Sequence, residues 1–260
     1  MKIAVFDSGI GGLSVLHQAM KRLPNEAFLY YADEDHVPYG EKTREQIVQY
    51  SEEAVKFLID KGADAVVIAC NTATSAAAAV LRSRYSLPII GMEPAVKKAL
   101  DLDPVHRVLV AATPVTIRGD KLKILMEHYD NHHLVDLLPL PKLVRFAEKG
   151  VFYGDEVKQY LEEQLKDFDL SEYSALVLGC THFNLFKAQL RELLPDNMSF
   201  VDGNKGTVNQ LIRKLNETGA KPEKEPSLHL FSSGREITEE AEKEKIRMIL
   251  SHLEKMYPIE

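Results

Sequence analysis

A chain of 260 residues with 32 basic and 39 acidic side chains carries a net charge of −7 at neutral pH, too little positive field to track a phosphate backbone, so nucleic acid is not an expected partner. Hydrophobic residues at 45% and charged residues at 27% exclude a disordered or membrane chain and leave a soluble globular protein of one large or two medium domains. The chain opens on an apolar run, Met1-Lys-Ile-Ala-Val-Phe6, with no charged leader or small-residue cleavage site. No apolar stretch approaches the ~18 residues of a membrane span, and the expectation is a cytoplasmic protein.

In chain order, short Val/Ile/Leu-rich runs alternate with amphipathic stretches. Strands are predicted over 3–6, 27–32, 65–69, 87–91, 107–111, 133–137, 175–179 and 198–201. Helices are predicted over 12–22, 44–61, 75–85, 118–129, 154–168 and 207–217. Near 221–226 the composition turns to Lys, Glu and Pro; a short strand over 228–231 and a charged amphipathic helix over 238–256 follow. This alternation predicts an α/β fold of mainly parallel sheets flanked by helices.

The two cysteines, Cys70 and Cys180, fall at matched places. Ala65-Val-Val-Ile-Ala-Cys-Asn-Thr72 and Ala175-Leu-Val-Leu-Gly-Cys-Thr-His182 share an apolar run, a small residue, a cysteine, a polar pair and then a predicted helix. The pattern suggests two lobes, residues 1–94 with 206–260 and residues 95–205, each presenting a cysteine at the carboxyl end of a strand, where α/β sheets place ligands. A C-x-x-C metal or redox pairing is absent, and a disulfide is disfavoured in a reducing compartment.

A lone cysteine at a strand end is most simply a small buried hydrophobe. A matched pair, each followed by hydroxyl or amide residues that an apolar core would reject, points instead to a site. Unpaired N–H groups at a following helix start favour a thiolate, while burial opposes it. Two opposed thiols suit one task in particular: one removes a Cα proton from one face of a stereocentre and the other returns a proton to the opposite face.

The segment Phe6-Asp-Ser-Gly-Ile-Gly-Gly12 reads as a strand, a glycine-rich turn and a helix, with Asp7 and Ser8 at the turn. It does not satisfy G-x-G-x-x-G, because Ser14 occupies the third glycine position, so a dinucleotide cofactor is not expected.

Four motifs, Asp7-Ser-Gly-x-Gly-Gly12, Pro38-Tyr-Gly40, Ala69-Cys-Asn-Thr-Ala-Thr74 and Leu178-Gly-Cys-Thr-His182, stand in the order and spacing of bacterial glutamate racemase, and the chain resembles that family over nearly its full length. The resemblance implies an active site in the cleft between two α/β lobes, no cofactor or metal, and a homodimer supplying D-glutamate for peptidoglycan. It implies that Cys70 takes the Cα proton from D-glutamate and Cys180 from L-glutamate, assisted by Asp7 and His182, with Glu148 an acidic residue near His182. Ser8, Tyr39, Gly40, Asn71, Thr72, Thr113, Thr116 and Thr181 match positions that hold the substrate. These hydroxyls, amides and turn N–H donors suit a small zwitterion with two carboxylates.

The chain departs from the family pattern at Ala32-Asp-Glu-Asp35, at Met92-Glu-Pro-Ala95, at Arg145, where proline is common, and at Phe183-Asn184. Glu34 and Asp35 read as solvated loop charges; turned into a pocket they would disfavour a dicarboxylate. A related racemase acting on aspartate and a non-catalytic amino-acid-binding protein of the same fold are the alternatives.

Overall fold

The computed structural model describes residues 1–218 and 225–259; residues 221–224 of the Lys-, Glu- and Pro-rich segment lie outside them. Among the described residues ten strands form two sheets. They are β1 (Lys2–Asp7), β2 (Ala27–Ala32), β3 (Ala65–Ile68), β4 (Ile89–Gly91), β5 (Arg107–Ala112), β6 (Val135–Pro139), β7 (Tyr173–Leu178), β8 (Ser199–Asp202), β9 (Ser227–Ser232) and β10 (Arg235–Glu236). The first sheet runs β10-β9-β2-β1-β3-β4 and the second β6-β5-β7-β8. Every pairing is parallel except β9 with β10.

Parallel strands covered by helices on both faces must be apolar throughout, and β2 and β3 are buried along their whole length. The register brings the carboxyl ends together. Asp7 pairs with Ala32 and Phe6 with Ile68, so the residues that leave β1 and β3 emerge side by side. In the second sheet Leu178 pairs with both Ala111 and Asp202. The largest core cluster takes in residues of both sheets, Val5 and Tyr30 of one and Leu109 and Leu176 of the other, together with Phe183 and Leu211. Among the described residues no helix is long and apolar enough to cross a membrane.

Several boundaries differ from the sequence reading. The strand predicted from 87 begins at Ile89, because Pro88 has no N–H for the ladder. The strand predicted over 133–137 lies two residues later, because His133 turns the chain at φ 56° and the Asp130 carboxylate accepts the N–H groups of Leu134 and Val135. The helix predicted from 75 begins at Asn71, with Cys70 as its cap.

The helices Val96–Leu102, Pro114–Arg118, Pro141–Glu148 and Lys187–Arg191 escaped prediction; none exceeds eight residues, too few for a clear helical period. Two of them start on a proline, which suits the first turn. The α-helix expected directly after Cys180 is a 3-10 segment, Thr181–Phe186. Phe183 is fully buried there, and Asn184 Nδ2 donates to the Thr181 carbonyl at 3.4 Å.

Candidate active site

Cys70 lies where β3 passes into the helix Asn71–Arg84. Its sulfur accepts the Ala73 N–H at 3.4 Å, satisfying one of the free donors of the first helical turn, and its thiol donates to Ser8 Oγ at 3.6 Å. Burial pushes the thiol up to about 12, and the charges of Asp7 and Cys180 add to that rise; the Ala73 N–H and Ser8 hydroxyl oppose it without overcoming it. Of the two opposing influences visible in the sequence, burial wins.

Cys180 leaves β7 into the 3-10 segment and lacks a capping N–H. Its partner is His182, whose Nδ1 stands 3.7 Å from Sγ. On the far side of the ring, Nε2 is 2.6 Å from Glu148 Oε1, which also accepts the Ile10 N–H at 3.0 Å. Burial alone would push the His182 imidazolium down, but the hydrogen bonds and charges of Cys180 and Glu148 carry it well above the ordinary histidine value.

Asp7 is fully buried between these groups. Its Oδ1 accepts the Gly9 N–H and its Oδ2 the Thr181 hydroxyl, each at 3.1 Å. Burial raises the carboxyl to about 6; the nearby His182 charge and both hydrogen bonds restrain the rise, while Glu148 adds to it.

The glycine-rich turn Gly9–Gly12 is explained by this crowding. A methyl at Gly11 would lie 2.5 Å from His182 Nδ1, and one at Gly9 would lie 2.0 Å from Glu148 Oε1. The turn is therefore the seam along which the two cysteine-bearing halves meet, and no phosphate cradle need be invoked.

Three threonines bridge the halves. Thr72 Oγ1 is 3.0 Å from Thr113 Oγ1 and 3.2 Å from Thr116 Oγ1, and the last two are 3.0 Å apart. Three hydroxyls with exchangeable donor and acceptor roles can reorient around an anionic or zwitterionic ligand. Among the described residues Asn71 Oδ1 is buried with no hydrogen-bond partner, an acceptor available to an ammonium group.

Gly40 packs on Thr113, with room for a methyl only at 3.0 Å from Thr113 Cβ. Tyr39 is buried, but its hydroxyl donates to Asp33 Oδ2 at 2.6 Å, away from the cysteines' own hydrogen bonds. Among the described residues no three His, Cys, Asp or Glu side chains are grouped to hold a metal ion.

The acidic run at 33–35 divides by residue. Asp33, which the sequence reading did not single out as a site residue, is buried and receives the Tyr39 hydroxyl, the Ser233 hydroxyl at 3.2 Å and a contact from His36 Nδ1 at 2.9 Å. Glu34 is half-buried and accepts the Ser232 hydroxyl at 2.6 Å, so it is a partnered loop residue; Asp35 is exposed as expected. Tyr39 and His36 are near Asp33 in sequence, but Ser233 lies 200 positions away, just after β9, beyond any local pattern.

A family profile described as Asp/Glu/Hydantoin racemase matches residues 13–211. A Campylobacter curvus protein named glutamate racemase is 55% identical over 265 residues, covering 100% of both chains. A Campylobacter concisus protein of the same name is 53% identical over 261 residues, again covering 100% of both. Among solved structures, glutamate racemase from Francisella tularensis in complex with D-glutamate aligns with TM-score 0.81 at 28% identity, covering 96% of this chain and 93% of that one.

Proposed function

Because the chain belongs to the Asp/Glu/Hydantoin racemase family, we propose that it interconverts L- and D-glutamate by a two-thiol acid/base mechanism that needs no cofactor. The observation that carries this reading is the placement of two free cysteines, one from each sheet, each with its own polar partners. One sulfur as thiolate removes the Cα proton, and the other, as thiol, returns a proton to the opposite face. Proton balance then requires the roles to be exchanged before the next turnover in the same direction.

Cys70 serves as the base toward D-glutamate and Cys180 toward L-glutamate. Asp7, whose carboxyl burial raises to about 6, exchanges protons on the Cys70 side, and the His182–Glu148 pair does so on the Cys180 side. Substrate is held by Ser8, Asn71, Thr72, Thr113, Thr116 and Thr181, with the Tyr39–Gly40 turn closing over it. A substrate ammonium brought beside Cys70 lowers the cost of its thiolate by direct charge attraction.

The lobes in this reading are residues 1–94 with 206–260 and residues 95–205, a division supported by the strand membership of the two sheets. The working unit is a cytoplasmic homodimer providing D-glutamate for peptidoglycan. Leu102, Ile124 and Tyr129, exposed on the adjoining helices Val96–Leu102 and Asp120–Tyr129, offer such a pair an apolar surface, and light scattering reads the assembly directly.

The decisive experiment incubates the purified protein with single enantiomers of glutamate and of aspartate in D₂O without added cofactor. Loss of optical rotation with Cα deuteration of glutamate is expected, and Cys70→Ser or Cys180→Ser should each abolish it. Absence of exchange with both amino acids would sink the racemase reading; exchange with aspartate alone would replace the substrate.

A further inference from the structure

The turn Tyr39–Glu41 is held at three successive residues. Tyr39 is tied inward to Asp33 of its own half, at 2.6 Å. Gly40 rests on Thr113, which follows β5 of the other sheet. Glu41 then reaches Arg145, whose Nε and Nη2 donate to Oε1 at 3.0 and 2.6 Å. Arg145 stands on the helix Pro141–Glu148, three residues before Glu148 and so on neighbouring positions of one helical face. A single short helix thus anchors both the His182 partner and the turn that covers the threonine cluster.

This pair is unlike most of the exposed ion pairs on the surface. Lys97–Asp101, Lys123–Glu127, Lys158–Glu162 and Lys166–Glu163 join residues three or four apart on one helix. Glu41 and Arg145 are 104 residues apart and join segments that belong to different sheets.

We propose that the Glu41–Arg145 ion pair is a positioning clasp that holds the Tyr39–Gly40 turn of one half closed against the other across the substrate cleft. It rests on the racemase reading for its effect on turnover, but the contact itself does not. Both side chains are substantially exposed, at 42% and 61%, so the pair is weak and salt-sensitive, as suits a contact that must open for each substrate. An exposed pair of this kind shifts an open–closed balance by about two- to fivefold.

The test compares wild type with Glu41→Gln, Arg145→Gln and the reversed double variant E41R/R145E. Glutamate racemisation is measured at low and high KCl, and hydrogen exchange is measured at the Glu41 and Lys42 amides, which close the turn onto Pro38 and Tyr39. Each single variant should raise KM about two- to fivefold, with kcat within about twofold of wild type. In both single variants the two amides should exchange faster by the same factor, and the response of KM to salt should shrink. The reversed pair should restore KM and exchange protection together. Unchanged exchange in both single variants, or a reversed pair as impaired as the singles, overturns the clasp. Failure of wild type to racemise glutamate would overturn the proposed function instead, leaving amide exchange to decide the clasp alone.

Discussion

Glu148 Oε1 holds His182 Nε2 at 2.6 Å and the Ile10 N–H at 3.0 Å, so one carboxylate oxygen ties the imidazole beside Cys180 to the glycine-rich turn after β1. The arrangement favours the protonated imidazole and sets its Nδ1 3.7 Å from the sulfur. Replacing Glu148 by Gln removes the charge but retains a polar partner of similar size. His182 should then titrate at lower pH, which ¹⁵N NMR of the imidazole reads directly. Racemisation should slow by about a hundredfold, the lower end of the range for positioned proton transfer. Enantiomers have equal free energies, so kcat/KM must fall by the same factor in both directions; an unchanged His182 titration would refute the electrostatic role.

Burial sets the reactivity of Cys70 before substrate arrives. With the thiol pushed up to about 12, alkylation by iodoacetamide in a Cys180→Ser background should be slow at pH 8 and still climbing at pH 10. An exposed cysteine levels off once above its ordinary value of ~8.5. A plateau below pH 9 would mean that the Ala73 N–H and the helix start prevail over burial.

Asp7 carries a stability signature with a definite sign. Its folded value, about 6, lies above the ordinary 3.8, so between these the folded state binds more protons than the unfolded state and stability from this group falls as pH rises. The cost above about pH 6 amounts to about 3 kcal/mol at most. Asp7→Asn should therefore gain on wild type in urea denaturation as pH is raised from 4 to 7, then hold level, while losing racemisation. Wild type gaining on the variant over that interval would contradict a buried carboxylate held against desolvation.

Two glycine substitutions separate close approach from mere flexibility. Gly11→Ala places a methyl 2.5 Å from His182 Nδ1 and 2.6 Å from the His182 N and Thr181 Oγ1, and should cost about 1–3 kcal/mol with near-complete loss of activity. Gly206 is exposed near the start of the helix Asn204–Thr218, and a methyl added there would meet nothing within 4 Å. Gly206→Ala should stabilise by about 0.5–1 kcal/mol through reduced backbone freedom in the unfolded chain and leave kcat unchanged. Thermal or urea unfolding of the two variants, moving in opposite directions, is the check.

Much of the site was legible because its residues sit at strand ends, and strand ends are marked locally. The runs before Cys70 and Cys180, the turn after Phe6 and the polar pairs that follow each cysteine needed only neighbouring residues to be seen. Glu148 and Arg145 were harder, since the helix Pro141–Glu148 is too short for its period to stand out. Tyr39 shows another limit: the direction of its hydroxyl depends on Asp33, which also receives the hydroxyl of the distant Ser233. Short helices and second partners are set by packing between distant segments, which no local window contains.

By itself the sequence determined the α/β alternation, the two matched cysteine positions and the order of the polar motifs around them, because each rests on periodicity or adjacency within a few residues. Only the tertiary structure decided which groups meet. It joined Asp7 to Thr181 across 174 residues and His182 to Glu148 across 34, and it enclosed both thiols. It also decided the outcome at Cys70, where helix-start donors and burial act in opposite senses. The reason is physical: hydrogen-bond propensity is local, whereas desolvation is imposed by everything the fold packs around a group.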